Sequence, residues 1–184
     1  MTASTSRGAS RRWRAIVLFA VACTVALPAV ADERSRLTEQ VAEARANFLK
    51  KDPTLQKELA AAAGYAVFPG VGKGGIGIGG ARGTGQVVVG GTTLGKTTLT
   101  QVSIGLQLGG QKYAELVLFE NREALDSFLT GAFTLSATAS AVAVASGAAA
   151  NAKYAGGVKV ITMSIGGLMY EASVGGQKFN VTKY

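Results

Sequence analysis

The sequence contains no histidine and a single cysteine, Cys23, close to the amino terminus. Without histidine, the Ser–His and Cys–His pairs that activate most nucleophiles are excluded. Zinc and copper lose their customary imidazole and thiolate ligands. One cysteine cannot form a disulfide within the chain. Proline is scarce too, with three in 184 residues. A chain so equipped must hold its fold by burying apolar groups rather than by cross-links.

The amino terminus has the layout of a leader. Arg7, Arg11, Arg12 and Arg14 precede the uncharged apolar run Ala15–Leu27, and Ala29-Val30-Ala31 stands just before Asp32. A basic stretch, an apolar stretch and an A-x-A site in that order predict a bacterial-looking secretory signal peptide over 1–31, cleaved after Ala31. The apolar run is 13 residues long, against the ~20 that a membrane-spanning helix needs. Cys23 follows small residues, as the acylated cysteine of a lipoprotein leader does. Ala20 in place of the usual leucine, and the apolar residues continuing to Ala31, favour simple cleavage, which removes Cys23. The expected setting is therefore outside the cytoplasm: periplasmic, outer-membrane-associated or secreted. Taking the four leader arginines from nineteen Lys and Arg leaves fifteen against eleven acids, so the headline charge of +8 becomes +4. That balance suits an anionic surface and makes no case for nucleic acid.

Residues 32–184 are long enough for one domain with one core. Residues 32–63 contain no glycine, and Leu37, Val41, Ala44 and Phe48 recur at helical spacing. Asp52-Pro53 breaks the pattern, and Asp52 is placed to cap a second helix that Gly64 would end. Helices are thus expected over about 34–50 and 53–62. The first is either a membrane-contacting amphipathic helix or a helix packed on its own domain; acids on its polar face favour packing. From Gly64 onward, twenty-four of the twenty-five glycines separate short alternating segments such as "QVVVG", "TLTQVSIGLQLGG" and "VKVITMSI". The expected class is α+β: a glycine-rich antiparallel or barrel-like sheet over 64–184, covered by the N-terminal helices and one or two internal ones. One internal helix is marked by Asn121 as cap, "REALDSFLT", and Gly131 as stop, with Leu125, Phe128 and Leu129 buried. The small-residue tract "FTLSATASAVAVASGAAANA" is expected to be partly helical.

Within this region "GGTTLGKT" satisfies the phosphate-loop pattern G-x-x-x-x-G-K-[ST]. Such a loop must open onto a helix, whose N-terminal N–H groups hold the phosphates. Here Val102, Ile104, Leu106 and Leu108 alternate with Ser103, Gly105, Gln107 and Gly109. That period of two predicts a strand. The segment is therefore expected to be a strand–turn–strand connection with Lys96 at its tip, and no nucleotide is expected as partner or cofactor. The acids Glu115, Glu120, Glu123 and Asp126 cluster in sequence and are expected to be solvated or to serve a helix dipole.

Four segments carry a family resemblance: "GYAVFPGVGKGGIGIGGARGTGQV" (64–87), "SIGLQLGGQ" (103–111), "LVLFENREALDSFLTGAFTLSATAS" (116–140) and "GGLMYEASVGGQKF" (166–179). In this order, and over nearly all of 37–183, the chain resembles the SYLF lipid-binding domain. It departs at Ser136–Ser140, "SATAS", where the family often has a string containing Asp. Eukaryotic members include adaptors that bind phosphoinositides and, in fungi, actin filaments. The resemblance implies a non-enzymatic protein recognising anionic phospholipid or phosphoinositide headgroups, with no cofactor and no metal. The alternative is a protein-interaction module docking a partner, actin-like or from the envelope, along an exposed sheet edge.

Backbone N–H groups freed at glycine turns can form anion nests, and a lysine beside one adds about 1 kcal/mol near a charged membrane. Lys73 and Arg82 flank the glycine-rich hairpin and Lys96 is expected in a turn. Lys112, Lys153 and Lys159 fall near further turns or strand starts. Each taken singly is better accounted for as a solvated loop tip. The resemblance raises Lys73 and Arg82 above the others.

Overall fold

The computed structural model describes residues 26–76, 78–104, 110–135, 141–166 and 176–184. Residues up to Leu37 form a compact unit of their own. Its described part is helical and carries an exposed Arg36–Asp32 ion pair of 2.7 Å. The sheet, the helices on it and the core belong to Thr38–Tyr184.

Helix α1 (Ala26–Lys51) starts before the position that periodicity marks, and α2 (Leu55–Ala61) follows it. Val41, Ala44 and Phe48 of α1 are buried, as are Leu55 and Leu59 of α2. From Thr38 on, the apolar stripe of α1 is therefore covered and not offered to solvent. Asp52 accepts from the Thr54 N–H at 3.0 Å and the Thr54 hydroxyl at 2.6 Å. It closes the turn ahead of α2, whose cap position is Thr54. Gly64 does not end that helix; it opens the first strand.

Among the described residues, seven strands form one sheet: β1 (Gly64–Ile76), β2 (Ile78–Val89), β3 (Thr92–Ile104), β4 (Gln111–Phe119), β5 (Val142–Ala143), β6 (Val158–Gly166) and β7 (Lys178–Lys183), in the order β5-β6-β4-β1-β2-β3-β7. The α+β class follows as expected, with one correction. Of the two sheet forms expected, the described strands take the open one, ending at β5 and β7. The β5–β6 pair is parallel; the others are antiparallel. Strand β4 lies inside the sheet, and residues 113–119 are all buried, so both of its faces are covered. Its near-continuous apolar run is what such a position requires.

Local chemistry fixes the irregular points. Val67 pairs with Gln86 and Gly70 with Thr84, so Phe68 and Pro69 share the space opposite Gly85. Pro69 has no N–H for the ladder, and a bulge is where a strand tolerates it. A Cβ on Gly85 would run into the Val67 carbonyl oxygen, so glycine faces the bulge. The β2–β3 turn is Gly90-Gly91, with φ of +56° and +81°. Positive φ at both central residues suits a two-residue hairpin.

Helix α3 (Arg122–Leu129) forms where expected. The Asn121 side chain accepts from the Ala124 N–H at 2.9 Å, and Gly131 stops the helix at φ +73°. Ala124, Leu125 and Phe128 are buried, while Leu129 is partly so. Phe128 lies 4.7 Å from Phe119 and 5.0 Å from Phe179 between ring centroids. This aromatic cluster locks α3 onto one sheet face and ties β7 to β4. The small-residue tract holds β5 and a four-residue helix, α4 (Ala148–Asn151). Its residues 136–140 lie outside the described ones.

Candidate functional site

Strand alternation and register assign each charged side chain to a face. Ala81 and Val87 of β2 point into the core beneath α3. Arg82, Thr84 and Gln86 therefore point to the opposite face. At the far end of that face α1 lies close: Gln86 Nε2 donates to Thr38 Oγ1 at 2.9 Å, and the Arg45 guanidinium stands 6.0 Å from the Tyr65 ring centroid. Arg82 is four residues from Gln86, about 13 Å along the strand, and is exposed.

A single transverse row crosses five strands at this level. Lys112 pairs with Gly72, Gly72 with Arg82, Arg82 with Thr100, and Thr100 with Lys178. All five residues are exposed. Cations occupy every second strand, spaced about 10 Å apart, with Gly72 and Thr100 between them. The adjacent row toward α1 is Thr84, Thr98 and Asn180, all uncharged. No described strand residue on this face is acidic: β4 carries the one acid in the described strands, Glu115, and it points the other way. The Lys112 side chain lies along β1, since a Cβ on Gly70 would meet its Cε at 3.1 Å. A large side chain at Gly70 would displace it.

The residues singled out from sequence are thus divided. Arg82 and Lys112 share the row. Lys73 pairs with Ala81 and points to the opposite face from Arg82, so the two do not make one site. Burial lowers the Lys73 pKa. Lys96 is not at a turn tip: it lies within β3 opposite Gln86 and Thr182, half-buried, two rows nearer α1. The phosphate-loop pattern is therefore a hairpin turn followed by strand, as the alternation predicts as far as Ile104; residues 105–109, where the alternation continues, lie outside the described ones. Lys153 is exposed between α4 and β6, away from the row. Lys159 is buried, 2.6 Å from Glu58 Oε2 and 2.9 Å from the Ala149 carbonyl oxygen, and serves the core. Lys178 is absent from the residues that sequence reasoning selects. Its signal is "KFNVT", where inward Phe179 forces Lys178 and Asn180 outward.

Two acids also differ from expectation. Glu115 is fully buried in the middle of β4, opposite Thr162. Its Oε2 accepts from Gln177 Nε2 at 3.0 Å, while Oε1 has no hydrogen-bond partner among the described residues. Burial pushes its pKa up to about 7, with the Gln177 hydrogen bond pulling the other way. Burial and then the nearby Glu115 charge raise Tyr113 as well. The apolar run on both sides of Glu115 is the sequence signal for this burial. Asp52 behaves oppositely. Burial pushes its pKa up, but hydrogen bonds from Thr54, Ala149 and Gly147 outweigh this and hold it below the ordinary value. A cleft of about 330 Å³ beside α3 is lined by Asn121, Glu123, Ser127, Phe133 and Gly157, with no cation among the described residues that line it.

Residues 100–183 match the Ysc84 family, described as Las17-binding protein actin regulator. The chain is also similar to beta cell expansion factor A of Aeromonas veronii, with 30% identity over 76 residues, 41% of this chain and 29% of that protein. It thus spans less than a third of that relative. The matched region contains Thr100, Lys112 and Lys178; Gly72 and Arg82 lie before it.

Proposed function

We propose that this chain, whose residues 100–183 match the Ysc84 (SYLF) family, is an exported, non-enzymatic protein that binds anionic phospholipid headgroups. The family is one of binding domains, known in eukaryotes for lipid and actin binding. The observation that carries the lipid reading is the row Lys112–Gly72–Arg82–Thr100–Lys178. Three cations about 20 Å from end to end, on a sheet face where no described strand residue is acidic, fit a flat anionic surface better than a small molecule. At about 1 kcal/mol per basic residue near such a surface, the three supply roughly a hundredfold in affinity.

Docking of a protein along a sheet edge has less to rest on. Strand β5 is two residues long. The outer edge of β7 is engaged by Thr134 at Lys178 and by Leu135 next to Gln177.

Flotation with vesicles tests the proposal. The protein should float with phosphatidylcholine vesicles containing one-third phosphatidylserine and not with phosphatidylcholine alone. Binding should weaken steeply as salt rises and the Debye length shrinks from about 10 Å at 0.1 M to 3 Å at 1 M. Equal flotation with both vesicles, insensitive to salt, would remove the electrostatic basis of this reading.

A further inference from the structure

We infer that Glu115, Tyr113, Thr162 and Gln177 form a buried site for one monovalent metal ion, coordinated entirely by oxygen. The site is on the α3 face of the sheet, opposite to the basic row, and stands whether or not that row meets a membrane.

Four oxygen atoms carry the inference: Glu115 Oε1, Tyr113 Oη, Thr162 Oγ1 and Gln177 Oε1. None has a hydrogen-bond partner among the described residues, and each belongs to a residue no more than 1% exposed. Buried polar groups are ordinarily paired, and an orphan points to a bound water or ion. The register gathers these four. Glu115 of β4 faces Thr162 of β6 directly, which sets their Cβ atoms about 5 Å apart on one face. Tyr113 is two residues along β4, on that same face. Gln177 reaches the group from just ahead of β7, through its 3.0 Å hydrogen bond to Glu115 Oε2. Burial raises the Tyr113 pKa and so does the Glu115 charge, while the Gln177 side chain lowers it, so the three groups act on one another at short range.

The set is chemically one-sided. It offers lone pairs from a carboxylate, an amide carbonyl and two hydroxyls, and such oxygen ligands suit hard cations. No described group gathers three or more acids, histidines or cysteines, so a single carboxylate must balance the ion. One negative charge neutralises a monovalent ion and leaves a divalent one with a net buried charge, which is costly. On the neighbouring strand Phe68 faces Glu115; Lys73, on the same sheet face, pairs with Gln111, four residues and about 13 Å further along. A proton on Glu115 removes the charge but leaves the oxygens unmatched. A water matches the oxygens but leaves the charge. The ion does both at once; a proton and a water acting together are the alternative that the experiment separates. Bound there, the ion ties β4 and β6 to the start of β7 and stabilises the fold.

The test is the melting temperature of the full-length protein at about pH 8, followed by circular dichroism in choline chloride as sodium or potassium chloride replaces it at constant ionic strength. Melting should rise with one or both metal ions, by about 3–5 °C at ten times the dissociation constant. Thr162→Val keeps the shape and removes one ligand; it should need about tenfold more ion for the same rise. Glu115→Gln should fold and show no rise. A melting temperature indifferent to which cation is present, or a rise that Glu115→Gln retains, overturns the inference. So does a response to calcium chloride alone. Should Glu115→Gln fail to fold, an unchanged ion requirement in Thr162→Val overturns it equally.

Discussion

Replacing Asp52 by alanine is expected to lower the free energy of unfolding by about 3–5 kcal/mol, the usual cost of removing one partner from a buried charged network. The carboxylate is wholly buried. It accepts from the Thr54 N–H and hydroxyl, and from the N–H groups of Gly147 at 3.0 Å and Ala149 at 2.8 Å. It thereby joins the α1–α2 turn to the start of α4, 95 residues away in sequence for Gly147. Alanine leaves those donors without their acceptor in a buried place. The Asp52→Asn variant keeps one acceptor oxygen and should recover part of the loss. The pH dependence has a defined sign. The folded pKa lies below the ordinary 3.8, so this stabilisation is present above that value and is lost as pH falls through the folded pKa. Urea unfolding of the wild type and both variants decides the matter; a loss under about 1 kcal/mol for Asp52→Ala would show the network to be dispensable.

Glu115→Gln should have nearly as large an effect, in the opposite direction and at the other end of the pH scale. The folded carboxyl titrates near 7 against an ordinary 4.5. Between those values the folded state keeps a proton that the unfolded chain has released, so stability falls as pH rises. At about 1.36 kcal/mol per pH unit, the wild type should lose about 3 kcal/mol across this interval and no more on this account above it. Glutamine fills the same space and carries no charge. The two stability curves should meet near pH 4 and part to about 3 kcal/mol by about pH 8, with the variant the more stable. Parallel curves would mean that Glu115 remains solvated enough to ionise freely.

Elements governed by nearby residues are legible in the sequence. Asn121 and Gly131 bound α3 because a cap and a left-handed stop act within one turn. The strand after Lys96 is legible because alternation is local. Register is not. Lys73 and Arg82 are nine positions apart and look alike as flanks of one hairpin. Pairing Lys73 with Ala81 rather than with Arg82 sends them to opposite faces, and a slip of one residue reverses such an assignment. Lys178 joins Arg82 only because β7 docks on β3, a pairing that local periodicity does not report. Neighbouring acids in sequence make Glu115 look like part of a solvated cluster, while the central place of β4 in the sheet decides its burial. Lys96 looks like a turn residue only when the turn is given to Gly95 instead of to Gly90-Gly91.

The central claim is that one face of the sheet, and not net charge, holds the membrane. Two triple charge reversals test it directly: Arg82→Glu with Lys112→Glu and Lys178→Glu, against Lys57→Glu with Arg122→Glu and Lys153→Glu. All six residues are exposed, and the two variants change net charge equally. Binding to phosphatidylserine-containing vesicles is then measured at one salt concentration, with folding checked by circular dichroism. Loss of at least about a hundredfold in the row variant, and of less than about tenfold in the other, is the predicted result. Equal losses in the two folded variants would contradict it.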